Sequence, residues 1–289
     1  MWYEYQMINE CLDSVQNALE LAQEEVRLRV CLNRQTYLEK YDYSFDHREP
    51  IRVLMNHPLY RKLDIIEKND AHPFYNIADW RRDEYYPDAK YNVWGETDTI
   101  MPREFFRILE VINVDVPHVL SFASRPMWDN SWDVVTHEAL QGYSKPCQCP
   151  EGNHRTDCIE LLEAPWKYKD LITQDELDKF NEGREITIQQ VPLKVDGSLL
   201  CLSGDLPHPF IPEDMHFVRE DTCAQEFFRS KGIPQLCVKS ILKGHNYKHP
   251  NKRVGTSATR DDKVFKQYAD QSQRAMITFL TVKYCFNRN

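Results

Sequence analysis

No stretch of this 289-residue chain is apolar for the length needed to span a bilayer, and no apolar h-region follows Met1. These two absences exclude a helical membrane protein and lead us to expect a cytoplasmic protein with no membrane partner. Positive charge is also in deficit. A formal net charge of −9 argues against a general nucleic-acid coat. Glycine is scarce at 9 residues, and there is no internal repeat and no low-complexity segment, so a repeat array is excluded. Without a secretory signal, the nine cysteines do not read as a disulfide framework. Cys11, Cys31, Cys201, Cys223, Cys237 and Cys285 fall in apolar helix or strand patterns and read as small core residues.

What is present suits one α/β domain over residues 1–289. Met7, Ile8, Cys11, Leu12, Val15, Leu19 and Ala22 recur at helical spacing, and Val26 to Asn33 alternates as a strand. Residues 41–90 read as loop-rich, with a helix from Ile77 to Asp83. A strand from Tyr91 to Trp94, a helix opened by Pro102 and a strand from Val116 to Ala123 follow. The stretch 125–170 is an irregular insertion rich in Trp, Pro, Cys and His. Thr173-Gln-Asp-Glu176 is a capping box for a helix ending near Gly183. Asp196-Gly197 between two apolar runs signals a hairpin. A helix from Glu213 to Ser230 then ends at Gly232, a strand covers Leu236 to Leu242, and a helix from about Asp261 closes the chain. Doubly wound folds usually open on a strand, and only Met1 to Tyr5 is available for one here.

Three places concentrate chemistry. After the Tyr91 strand, Gly95-Glu-Thr-Asp98 puts two acids at i and i+2, where open α/β sheets bind ligands. Such a pair is either a solvated turn or a holder of Mn²⁺ or Mg²⁺ already bound to a diphosphate, because these cations take oxygen donors. Pro212-Glu-Asp214 brings Glu213 and Asp214 to a helix start, as a cap or as a working acid pair. Gly244-His245 follows the last strand, where a histidine is either a structural hydrogen-bonder or part of a site.

In this order the elements resemble GT-A glycosyltransferases, which use sugar-nucleotide donors: a metal-binding D-x-D element, an acceptor-side E-D element and a late G-H element. The resemblance implies a GT-A (Rossmann-like) α/β fold, a mixed and mostly parallel sheet flanked by helices, here with a Cys/His-rich insertion. It implies that Glu96, Asp98 and His245 hold Mn²⁺ or Mg²⁺, and that Asp214, with Glu213 beside it, takes the acceptor's proton in an inverting transfer. It also implies that Asn33, Trp80, Arg81, Glu96, Lys248 and Lys252 contact the donor, taken to be a UDP-sugar. The alternative for Trp80 is the core, and for Arg81 and Arg82 a surface pair.

Cys147-x-Cys149-x4-His154-x3-Cys158 offers three thiolates and an imidazole, the ligand set of a closed structural Zn²⁺ site. It resembles a zinc knuckle whose first spacing is one residue short; the alternative is three reduced thiols in a loop. About one zinc per chain is expected, and elemental analysis of chelator-washed protein with Cys149→Ser and Cys158→Ser variants checks it. Zinc-free protein from a chelator-free preparation returns these residues to a plain loop. From Lys239 to Arg274, nine Lys or Arg stand against three acids, giving a basic C-terminal segment, 239–289, on an acidic protein. With Trp128 and Trp132 in the insertion, this favours a nucleic-acid acceptor. Overall the chain resembles phage glycosyltransferases that modify 5-hydroxymethylcytosine in DNA with glucose or arabinose. The alternatives are a glycan, lipopolysaccharide or protein acceptor, or a zinc-containing nucleic-acid-binding protein without enzymatic activity.

Overall fold

The computed structural model describes residues 7–33, 48–68, 77–123, 173–192, 194–195, 197–216, 219–245 and 263–285. The amino-terminal part contains α1 (Ile8–Leu19), β1 (Leu28–Asn33), α2 (Arg48–Asn56), a 3-10 turn (Pro58–Lys62), β2 (Leu63–Lys68) and α3 (Ile77–Asp83). Then come β3 (Tyr91–Gly95), β4 (Thr99–Ile100), α4 (Phe105–Val111) and β5 (Val119–Ala123). From residue 173 onward lie α5 (Gln174–Asn181), β6 (Ile188–Val191), β7 (Leu199–Ser203), α6 (Glu220–Ser230), β8 (Gln235–Leu242), β9 (Gly244–His245) and α7 (Lys263–Cys285).

β7 is apolar from Leu199 to Leu202 and buried at every position, so it needs core on both faces. Its side chains alternate between two clusters. Leu200 and Leu202 join Phe227 and Phe228 of α6 and Ala275 of α7, whereas Leu199 and Cys201 join Phe105 and Ile108 of α4 and Ala18 of α1. The five-stranded sheet, ordered β3-β7-β5-β8-β6, is therefore covered by helices on both faces. β1 and β2 form a separate parallel pair, and α1 reaches it through Ile8 and Leu12, which pack with Leu54 and Leu59.

The sheet is mixed, but the expected parallel majority is not found. Only β5–β8 is a parallel pair; β3–β7, β7–β5 and β8–β6 are antiparallel. β3, β5 and β8 do run the same way, and β7 separates β3 from β5. The Asp-Gly hairpin is also overturned: β6 pairs with β8 at the far edge, and β7 pairs with β3 and β5. A strand buried on both faces is drawn to the middle of the sheet, whereas β6, mostly exposed, is tolerated at an edge. The stretch expected to be loop-rich contains α2 and β2. Thr173 does cap α5: its Oγ1 accepts from Glu176 N at 3.4 Å, while Glu176 Oε2 accepts from Thr173 N at 3.2 Å. Gly232 adopts φ +74°, the left-handed residue that ends α6. Among the described residues, no helix is long and apolar enough to cross a membrane.

Candidate functional site

The acid-x-acid segment leaves the carboxyl end of β3 as a tight turn closed by Thr99 N donating to Glu96 O at 3.0 Å. α1 lies beneath it. Cys11 Sγ donates to Glu96 O at 3.6 Å, and Ser14 Oγ accepts from Met101 N at 3.0 Å, so α1 holds the segment at both of its ends. Asp98 is only 1% exposed, so the solvated-turn alternative does not hold for it. Cys11 senses that position: burial pushes its thiol up to about 12, and the nearby Asp98 adds to the rise.

β4 continues directly from Asp98 and pairs antiparallel with β9, Thr99 opposite His245 and Ile100 opposite Gly244. The backbone thus brings the Gly-His element beside the acid-x-acid turn, although about half of the chain separates them in sequence.

Arg81 joins this corner to a third element. It is buried, its guanidinium lies 4.8 Å from the ring centroid of Trp94, and it pairs with two acids. Nη1 meets Glu220 Oε1 at 2.5 Å and Nη2 meets Glu96 Oε1 at 3.3 Å. The surface-pair alternative for Arg81 and Arg82 is therefore wrong. Arg82 hydrogen-bonds Asp79, Pro212 O and Glu213 O, and His216 Nδ1 donates to Asp79 Oδ1 at 2.8 Å. α3 is a mooring post for two loops.

That mooring explains the main error of the sequence reading. Glu213 and Asp214 do not open a helix; they lie exposed on a turn closed by Met215 N donating to Pro212 O at 3.2 Å. Arg219, at φ 66°, breaks the chain direction before α6 begins at Glu220. The acid pair at the helix start is Glu220-Asp221, which the sequence reading missed. The local signal does not mark it: the apolar stripe Cys223, Ala224, Phe227, Phe228 is interrupted at Glu220, but Phe217 continues the same spacing.

The two acids differ. Glu220 is buried, and desolvation pushes its carboxyl up to about 7; Arg81 pulls it down, while Asp221 and Glu96 add to the rise. Asp221 is half-buried, and its Oδ1 accepts from Thr222 N at 2.7 Å. Its Oδ2 occupies the space beside Gly197, where a Cβ would lie only 2.3 Å away.

The other expected site residues divide as follows. Trp80 is buried at 7% exposure, in agreement with the core alternative. Asn33 ends β1 opposite Lys68, in the two-stranded sheet. Lys248, Lys252, Cys147, Cys149, His154 and Cys158 lie outside the described residues.

A hard divalent cation suits the carboxylate oxygens of Asp98 and Glu96. Glu96 is 30% exposed, and its 3.3 Å contact with Arg81 is longer than a tight charge-assisted bond. Among the described residues no three His, Cys, Asp or Glu side chains form a complete metal cage. Phosphate and water oxygens would have to complete the shell.

A cavity of about 270 Å³ lies at the opposite end of β3, lined by Tyr91, His118 and Val116 among others. Its polar groups serve the fold. Val116 O can only accept, so His118 Nδ1 donates to it at 2.8 Å, while Nε2 hydrogen-bonds the Tyr91 hydroxyl at 2.9 Å. No protein-family model, no curated protein and no solved structure matches this chain.

Proposed function

We propose that this chain is a metal-dependent glycosyltransferase of the GT-A type that transfers a sugar from a nucleoside-diphosphate donor, most simply UDP-linked, to a hydroxyl. The observation that carries the reading is the convergence of three sequence-distant elements: the Glu96-x-Asp98 turn, the Gly244-His245 strand and the Glu220-Asp221 helix start, with Arg81 bridging Glu96 and Glu220. Asp98 and Glu96 would hold Mn²⁺ or Mg²⁺. When bound, the ion neutralises the diphosphate and makes it a better leaving group. Asp221, at the helix start and half-buried, is the base that takes the proton from the attacking hydroxyl. Glu220 is tied to Arg81 and buried, so it positions Asp221 and does not meet the acceptor.

The acceptor we favour is the 5-hydroxymethyl group of cytosine in DNA, on the strength of the basic segment after Lys239 and the Trp-containing insertion. The base would have to be exposed in the groove or flipped out to reach the site.

A thermal-shift screen of nucleoside diphosphates with and without Mn²⁺ tests the donor half. Saturating ligand at about 100 times its Kd stabilises the fold by about 2.7 kcal/mol. Asp98→Asn is expected to lose the Mn²⁺-dependent part of that shift while keeping the far-UV spectrum of the parent. A full Mn²⁺ response in Asp98→Asn removes that residue from the metal site. Duplexes with and without 5-hydroxymethylcytosine, offered beside simple glycans, separate the acceptors. Transfer to glycans alone keeps the enzyme and discards the DNA acceptor. No nucleotide response at all, combined with DNA binding, selects the non-enzymatic alternative.

A further inference from the structure

Lys243 is 1% exposed, and its ammonium lies wholly inside the protein. A lysine is rarely placed there without a task, because lysine is almost never fully buried unless its charged end is paired or hydrogen-bonded. Its position is specific. It is the single residue between β8 and β9, and its backbone N donates to Ala123 O at 2.8 Å at the end of β5. Its Nζ donates to Ser198 Oγ at 2.8 Å.

Ser198 is a junction. Its carbonyl oxygen accepts from Thr99 Oγ1 at 2.8 Å, and Thr99 immediately follows Asp98. Its neighbour Gly197 supplies the bare surface on which the Asp221 carboxylate rests. One residue pair, Gly197-Ser198, therefore touches the strand before His245 through Lys243, the acid-x-acid turn through Thr99, and the helix-start acid directly.

We propose that Lys243, acting through Ser198, is a positioning residue that sets the spacing of the donor-side turn, the Gly-His strand and Asp221. This rests on the glycosyltransferase reading for its catalytic consequence, but the clamp itself is a property of the fold. Neither Lys243 nor Ser198 meets substrate. They fix the geometry of residues that do, and loosening the Lys243–Ser198 link displaces the acid-x-acid turn and the Gly-His strand, which is read as weaker donor binding.

The experiment uses Ser198→Ala, Ser198→Thr and Lys243→Met in the full chain, with two readouts. Amide hydrogen exchange reports the β4–β9 ladder: Ser198→Ala and Lys243→Met are expected to exchange there ~10-fold faster or more, and Ser198→Thr to retain protection. Steady-state kinetics with Mn²⁺ and the nucleotide-sugar is expected to show donor KM raised ~10-fold in Ser198→Ala, kcat within about twofold, and recovery in Ser198→Thr. If Lys243→Met does not fold, the Ser198 pair alone decides. Unchanged ladder protection in Ser198→Ala overturns the clamp, whatever the protein catalyses. Faster exchange with unchanged KM overturns its catalytic role. If the parent chain neither binds a nucleotide nor transfers a sugar, the glycosyltransferase reading fails separately, while the exchange data still judge the clamp.

Discussion

Asp221→Asn is expected to lower kcat by ~10²-fold or more with donor affinity held within about twofold, because base catalysis acts in the transition state and not in nucleotide binding. The local structure makes this a clean test. Asp221 already supplies a carboxylate to the first turn of α6 and accepts from Thr222 N at 2.7 Å. Asn keeps the shape and the acceptor oxygen. The loss of helix-dipole attraction for a charged side chain is about 0.3–1 kcal/mol, too small to confuse with a catalytic effect. Asp214→Asn is the control. Its side chain is exposed on a turn that α3 holds through backbone contacts to Pro212 O and Glu213 O, so kcat is expected to stay within about twofold. The reverse outcome, with Asp214→Asn inactive and Asp221→Asn normal, gives the acceptor side to the Pro212 turn.

These two acids also mark the limit of sequence reading for this chain. Pro-Glu-Asp is a sound local pattern for a helix start, and so is Arg-Glu-Asp-Thr a few residues on. What separates them is tertiary: Arg82 and Asp79 of α3 hold the first in a turn, a contact with no local trace. The Asp-Gly hairpin fails for a related reason, since β7 is apolar enough to be pulled between β3 and β5 whatever turn precedes it. Features fixed locally fared better. The Thr173–Glu176 capping box and the Gly232 stop each depend on a few adjacent residues, and both are present. β4 and β9 were illegible because a two-residue strand has no periodicity, yet their pairing is what seats His245 beside the acid-x-acid turn. The burial of Asp98 and Arg81 was equally hidden. Charge is written in the sequence, but the packing that encloses it is not.

Arg81→Met is expected to be the most destabilising single change in the site, by about 3–5 kcal/mol near neutral pH, the usual cost of stripping one partner from a buried ion pair. Methionine fills much of the volume over Trp94, so the loss is mainly electrostatic: Glu220 and Glu96 lose the guanidinium that both contact. Arg81→Lys should recover only part of the stability, since one ammonium cannot reproduce the fork that spans two carboxylates. The pH dependence carries the sign. Burial raises the folded-state Glu220 carboxyl to about 7, above its ordinary 4.5. Its contribution to stability is therefore fully present below the unfolded value and is lost as pH rises through about 7. The parent protein should accordingly be more stable at about pH 5 than at about pH 8, by at most about 3 kcal/mol from this group. Removing Arg81 takes away the positive charge that opposed the rise, so Arg81→Met should show a steeper loss over the same interval and the smaller penalty at the acid end. Glu220→Gln should flatten the parent's profile, and the Arg81→Met/Glu220→Gln double variant should be more stable at about pH 8 than Arg81→Met alone, because no buried charge is then left without its partner. Urea unfolding of the four proteins at the two pH values measures all of this. A penalty for Arg81→Met that is independent of pH and unrelieved by Glu220→Gln assigns the residue's role to packing over Trp94, with no electrostatic link between Glu96 and Glu220.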